Sequence, residues 1–318
     1  MPTSPAAPTP RRGRPTTTGT SPQHHADTHH QAPVRDDAPV VAALLRERRS
    51  DFTRAELRVA QALLRDYPAI GLQSAAGLAA AAGVSGPTVV RLVAKLGYPS
   101  YAHLQRQLRA ELSARTTGPV ELYPDTKTTD RPRGPLLARV APELGRAVAE
   151  TLGTVDDAEL DRAIALLADP SHRVLLTGGR ASIAHAYYMA TYLQLLRPGV
   201  HFLGPGRAQR TAALLDADPP ALVVLFDFHR YERDTIDFGQ AAAARGGTLI
   251  VFTDRYLTPL APCADVLFTA AVDGLRPFIV LTPVLALVET TLLGVAEALG
   301  PAGRARLADF DQLNTGQV

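Results

Sequence analysis

The apolar positions of this chain change period twice, and the changes divide it. Residues 1–38 are rich in Pro, Thr and His and show no apolar period. Such a stretch cannot bury enough surface to offset its chain entropy, so it reads as a disordered tail. From about residue 40 the pattern is helical, opening with VVAALLRERR (40–49). A second helix carries explicit start signals. Thr53 with Glu56 three residues on makes a capping box, and Phe52 with Leu57 occupies the two positions of a hydrophobic staple. Leu57, Ala60, Leu63 and Leu64 form its stripe, and Pro68 stops it soon after Tyr67. Ser74 caps a short helix over 75–82, in which Ala79 leaves room for a close crossing, and Gly83 suits a turn with positive φ. Ser85 caps the next helix, where Pro87 is harmless in the first turn, and Ser100 opens another at about 101–114.

Residues 116–135 are Thr, Pro, Gly and charge without a period, the composition of a linker. Helices resume at 136–152 and again to about 168, the second opened by Asp156 and Glu159 as a further capping box. Then the period shortens. RVLLTGG (173–179), VHFLG (200–204), ALVVLFDF (221–228), TLIVFTD (248–254) and VLFTAAV (266–272) are short apolar runs. Helical stretches at 181–196, 207–215 and 232–245 separate them, and 277–299 closes the series. Continuous apolar strands alternating with helices predict a five-stranded parallel sheet covered on both faces. The expected organisation is therefore a tail (1–38), an all-α domain (39–115), a linker (116–135) and a flavodoxin-like α/β domain (136–318).

Charge sharpens this division. Residues 40–115 hold eleven Lys and Arg against five Asp and Glu, while 116–318 are net acidic in a chain of formal charge +2. A basic module followed by an acidic one fits a polyanion binder attached to something else. Arginine abundance is not itself a signal, because only Lys95 and Lys127 are lysines and the Ala and Pro content suggests codon bias. The single Cys263 excludes an intramolecular disulfide and a cysteine-rich zinc site. In the tail, Arg12-Gly13-Arg14-Pro15 reads as plain disorder over a minor-groove hook, and the pairs His24-His25 and His29-His30 as polar tail over a metal site. No metal and no cofactor is expected. No charged start runs into an apolar segment, and the run 278–299 is broken by Pro283, Glu289 and Glu297, so a buried helix, a cytoplasmic location and no membrane partner are expected.

Residues 74–101 concentrate the candidate chemistry. Two short helices joined at Gly83 match a helix-turn-helix, with Val89, Leu92 and Leu96 on the packing face and Thr88, Arg91 and Lys95 at the same spacing on another. Arg91 and Lys95 would reach base edges or phosphates, and Thr88 a phosphate or a thymine methyl. Ser85, Ser100 and Tyr101 complete the expected DNA-binding set, with plain packing as the alternative for Tyr101. FTRAELRVAQALLRDYP, followed by SAAGLAAAAGVSGPTVVRLVAKLGYPSYAHLQRQLR, closely resembles the N-terminal domain of RpiR-family transcriptional regulators over about 52–109. The resemblance implies an operator-binding helix-turn-helix acting as a homodimer or a dimer of dimers.

In a parallel sheet, ligands bind beyond the carboxyl ends of the strands. Thr177-Gly178-Gly179-Arg180-Ala181-Ser182 joins the first strand to its helix, where glycines and helix amides suit an anion. Over about 136–300 the chain resembles a SIS (sugar isomerase) domain, which implies binding of a phosphosugar, with Ser182 as the motif serine. The second SIS motif, Ser-x-Ser-Gly-x-Thr, is missing; Asp227-Phe228-His229-Arg230-Tyr231-Glu232-Arg233-Asp234-Thr235 stands there instead. Either His229, Arg230 and Arg233 supply the charge, or the ligand has changed, or the loop is structural with Asp227 paired to Arg230. Thr253, ending the fourth strand, would complete a site of Gly178, Gly179, Arg180, Ser182, His229, Arg230, Arg233 and Thr253. Three functions follow: a regulator sensing a small anionic metabolite such as a sugar phosphate, an isomerase using a base among His185, His229, Glu232 and Glu289, or a sheet domain that only dimerises. An isomerase has no use for residues 52–109, so a regulator without catalytic residues is expected.

Overall fold

The computed structural model describes residues 40–116, 120, 123, 134–215, 221–275 and 278–315, which fall in one compact unit, Ala38–Val318. The expected tail, its Arg12–Pro15 and histidine motifs and most of the linker lie outside the described residues.

Helices α1 (Val41–Glu47), α2 (Arg54–Arg65), α3 (Ala69–Leu72), α4 (Ala75–Ala82), α5 (Gly86–Lys95) and α6 (Tyr101–Thr116) form the first half. The capping box of α2 is present: Thr53 Oγ1 accepts from the Glu56 amide at 3.3 Å, and Glu56 Oε2 accepts from the Thr53 amide at 2.8 Å. Ser74 caps α4 by accepting from the Gly77 amide at 3.1 Å, and Gly83 ends it at φ 62°. Ser85 departs from expectation, because its hydroxyl meets Thr88 Oγ1 at 3.1 Å and caps nothing. The one-turn helix α3 follows Pro68, where only a stop was expected. Phe52, Val59, Leu63, Leu78, Val89, Leu92, Leu104 and Leu108 make the core of this half, so each apolar stripe faces one shared centre.

The second half begins with α7 (Leu136–Gly153) and α8 (Asp157–Ala168), then alternates β1 (Arg173–Gly178), α9 (Ile183–Leu196), β2 (Val200–Phe202), α10 (Arg207–Leu215), β3 (Ala221–Phe226), α11 (Arg233–Ala244), β4 (Thr248–Asp254), β5 (Val266–Ala270) and α12 (Thr282–Thr315). All five strands are parallel, in the order β2-β1-β3-β4-β5. Their residues alternate between two buried layers. Val174, Leu176, Val224, Phe226, Ile250 and Phe252 face α8, α9 and α12, while Leu175, Val223, Leu225, Leu249 and Val251 face α10 and α11. Burial on both faces explains why the strands read as unbroken apolar runs.

Some boundaries differ from expectation, each for a visible reason. Asp156 caps α8 through the Ala158 amide at 2.8 Å, but Glu159 does not close a capping box; it accepts the Leu267 amide at 3.1 Å and ties α8 to β5. The closing helix starts at Thr282 rather than 277 and runs past 299, bent at Gly300 (φ 50°). Its apolar face, Val284, Leu287, Val288 and Val295, packs into the sheet core.

Arg197, 1% exposed, secures the edge where α8, β1 and α9 meet. It donates to the carbonyls of Leu167 at 2.8 Å, Asp169 at 2.6 Å and Pro198 at 3.0 Å, and also to those of Pro170 and His172. Replacement by an apolar side chain would strand these acceptors away from water. Arg197→Met is expected to cost about 3 kcal/mol or more, read as a fall in the urea midpoint at constant slope.

Candidate DNA-binding face and ligand cleft

Helices α4 and α5 are bent 103° apart across Gly83–Ser85, within the range of a helix-turn-helix. The second helix buries Thr88, Val89, Leu92 and Val93 and exposes Pro87, Val90, Arg91, Ala94 and Lys95. The expected polar face is thus split. Thr88 is only 4% exposed, with its hydroxyl taking a bond from Arg91 Nη2 at 3.1 Å, so it holds Arg91 rather than standing in the open itself. Lys95 Nζ donates to Glu56 Oε2 and to the Asp51 carbonyl, both at 2.8 Å, which makes it a tie between α5 and the start of α2. Burial alone would raise the Glu56 carboxyl, but the bonds from Lys95 and Thr53 outweigh it and hold the group below its ordinary value. The Tyr101 hydroxyl donates to the Gly71 carbonyl at 3.0 Å, the packing alternative. Ser100 is exposed and meets His103 Nδ1 at 2.7 Å. Of the expected set, Ser85, Arg91 and Ser100 remain on the surface with Lys95 partly so. Val90, 55% exposed, was missed. Its signal was an apolar residue off the Val89–Leu92–Leu96 stripe.

In the sheet half, the connection after β1 runs to β2 on one side, while the connection after β3 runs to β4 on the other. The turns after β1 and β3 therefore meet where the strand order reverses, which is where open α/β sheets form a cleft. The meeting is close. A Cβ on Gly178 would lie 2.9 Å from the Phe226 carbonyl oxygen, so only glycine fits without displacing backbone. The Gly179 amide donates to that same oxygen at 2.9 Å, and the Ser182 hydroxyl donates to it at 2.7 Å. Ser182, 4% exposed, is thus spent on the turn and does not present its hydroxyl to a ligand. Arg180 is the accessible cation of this turn; its side chain is 84% exposed and pairs with Glu232 at 3.3 Å from across the cleft.

The turn after β3 is a buried polar cluster. Asp227 accepts the Glu232 amide at 3.2 Å and the Thr258 hydroxyl, so the loop is structural, as one alternative had it, but through these partners and not through exposed Arg230. Asp254 accepts the His229 amide at 2.6 Å, the Tyr231 hydroxyl at 2.7 Å and the Tyr256 amide at 2.9 Å. The His229 ring is buried, with Nδ1 3.7 Å from Asp254 Oδ2, and Arg233 pairs with Asp237 at 2.8 Å on its own helix. Thr253 is buried and accepts the Thr258 amide at 3.1 Å. Sequence reasoning missed Arg210, which is 5% exposed beneath the cleft and donates to the Gly178 carbonyl at 2.8 Å. Nothing distinguishes it in sequence from the other arginines. Among the described residues no group of three His, Cys, Asp or Glu is placed to hold a metal ion.

Burial, helped by the neighbouring carboxylates of Asp254 and Glu232, pushes Asp227 up to about 7 despite its two hydrogen bonds. A carboxyl raised on folding from 3.8 stabilises most at low pH and loses that contribution as pH rises towards 7. Asp227→Asn cannot ionise. Its melting temperature relative to wild type is expected to rise by about a few degrees between pH 5 and pH 8, followed by calorimetry at both values.

Comparison with known proteins follows this division. Residues 40–115 match the family model of the rpiR-family helix-turn-helix domain, and residues 166–293 match that of the SIS domain. An uncharacterised HTH-type transcriptional regulator of Thermotoga maritima is 26% identical over 225 residues, spanning 70% of this chain and 78% of that protein. The sugar isomerase domain of an RpiR transcription factor from Sphaerobacter thermophilus has a TM-score of 0.52 at 25% identity, covering 56% of this chain and 98% of that one. The Vibrio vulnificus NanR protein, solved with ManNAc-6P, shares the fold with a TM-score of 0.51 at 17% identity, over 87% of this chain and 98% of its own. With a helix-turn-helix domain of that type joined to a SIS domain, the chain belongs to the RpiR family of HTH-type transcriptional regulators.

Proposed function

We propose that the SIS half of this regulator binds a small anionic metabolite, a sugar phosphate, and thereby alters operator binding by a dimer. The observation that carries the reading is Arg180: an exposed guanidinium at the strand-order reversal, held among the described residues by Glu232 across the cleft. An incoming phosphate takes over that guanidinium as a stronger, bidentate partner and frees Glu232. NanR, with its bound ManNAc-6P, supports this ligand class by analogy of fold. Two domains, 39–115 and 136–318, divide the work, and the protein acts in the cytoplasm, where its DNA is.

Binding without turnover fits the candidate bases. His185 Nε2 lies 3.0 Å from the Leu281 carbonyl, Glu289 takes the Tyr188 hydroxyl at 2.9 Å, His229 is buried beside Asp254, and Glu232 faces Arg180. His185, Glu289 and Glu232 are each engaged with a different partner, and among the described residues no two of the four candidates are bonded to each other. A second copy would cover Tyr187, Tyr192 and Leu293, which are 61%, 47% and 62% exposed on the adjacent helices α9 and α12.

On the DNA side Arg91 reads or grips the duplex, and Val90 packs on a thymine methyl. Against an operator selected from random duplexes, Arg91→Ala is expected to lose about tenfold or more in affinity with an unchanged melting temperature. Wild-type affinity and salt slope in that variant would overturn the assignment. On the ligand side, a panel of sugar phosphates should raise the melting temperature of the wild type, and Arg180→Ala should abolish the rise. A shift that survives the substitution would place the ligand elsewhere.

A further inference from the structure

We propose that the turn after β3, with the segment after β4, is a latch that holds the DNA-binding domain, and that Arg115 is the residue it holds. Arg115 sits in the last turn of α6. Its guanidinium donates to the Tyr256 carbonyl at 3.0 Å, to the Leu257 carbonyl at 2.7 Å and to the Tyr67 carbonyl at 3.2 Å. It also lies 5.2 Å from the ring centre of Tyr67 and 5.6 Å from that of Tyr231, so one cation bridges an aromatic ring from each half. Around it Val40, Ala42 and Leu257 are buried together, with Leu64, Tyr67 and Tyr256 packed against them. Acceptors that match a planar fork, two rings and an apolar surround make this a built contact.

The same turn reaches the cleft at its other end. Glu232 faces Arg180, and its amide is held by Asp227. Asp227 in turn holds the Thr258 hydroxyl, and Leu257, next in the chain, offers its carbonyl to Arg115. A second route runs from Tyr231 through Asp254 to the Tyr256 amide. Residues that replaced the expected Ser-x-Ser-Gly-x-Thr cradle therefore connect the cleft to α6. An effector that draws Glu232 off Arg180 shifts Asp227 and Thr258, and through them the grip on Arg115. This step rests on the reading that the cleft binds the effector. Its physical content is an element with two arrangements that both sites bias.

The test is hydrogen exchange on the full chain, with neither effector nor DNA. Arg115→Ala is expected to speed exchange in peptides covering 40–47 and 105–115 by about tenfold while β1 and β3 stay protected. Arg115→Lys should do the same, since an ammonium cannot span these carbonyls. Thr258→Val breaks the path one residue away from the Arg115 contact; it should speed exchange in the same peptides and add nothing in the Arg115→Ala background. If Thr258→Val exposes β1 or β3, Tyr231→Phe takes its place in the cycle. Unchanged exchange in Arg115→Ala overturns the latch. Equal effects of the second substitution with and without Arg115 overturn the coupling. Either failure leaves the effector reading standing, because no effector is used. A failed thermal shift likewise leaves the latch intact.

Discussion

The carbonyl oxygen of Phe226 takes two hydrogen bonds from the turn after β1, one from the Gly179 amide and one from the Ser182 hydroxyl. That double acceptance clamps the ends of β1 and β3 together where the strand order reverses, and Gly178 permits it by having no side chain. Much of the sheet half follows from the clamp. Ser182 is consumed in holding the turn, Arg180 is left projecting, and Glu232 from the opposite turn becomes its partner. The exposed cation of one turn is thereby paired with a carboxylate of the other across the cleft.

A carboxylate plays a comparable part in the helical half. Glu56 closes the capping box of α2 and receives Lys95 from the end of α5, so the start of one helix fixes the end of the other. The second helix of the pair is thus fixed by a bond from a half-exposed ammonium to a buried carboxylate as well as by its apolar stripe. Removing Lys95 would leave the buried Glu56 carboxylate with only its bonds from Thr53, whereas Lys95 without Glu56 still meets water. Glu111 is used similarly: it accepts the Val41 amide at 3.0 Å and the Tyr67 hydroxyl, and burial raises its carboxyl above the ordinary value. Tyr67 then stacks on Arg115, so the two halves are joined through residues that also order the helical core.

The elements were legible because periodicity, caps and glycine turns act locally. Thr53, Ser74, Asp156 and Gly83 do what short-range chemistry allots them. Misreadings fall on polar side chains with a choice of partners. Glu159 sits at the right spacing for a capping box but finds the Leu267 amide instead. Thr88 shares a spacing with Arg91, yet α5 is packed over enough of its circumference to bury it. Arg115, Arg210 and Arg197 look alike in an arginine-rich chain and differ only in which carbonyls surround them.

By itself the sequence determined an all-α helix-turn-helix domain followed by a parallel α/β sheet, because the period of apolar residues is a property of neighbours a few positions apart. It also determined that the second SIS turn departs from its motif. Tertiary structure decided which hydroxyls and charges remain available. A hydrogen bond between residues dozens or over a hundred positions apart, such as Lys95 to Glu56 or Arg115 to Leu257, leaves no periodic trace. It forms only when packing has brought the groups together and removed the competing water.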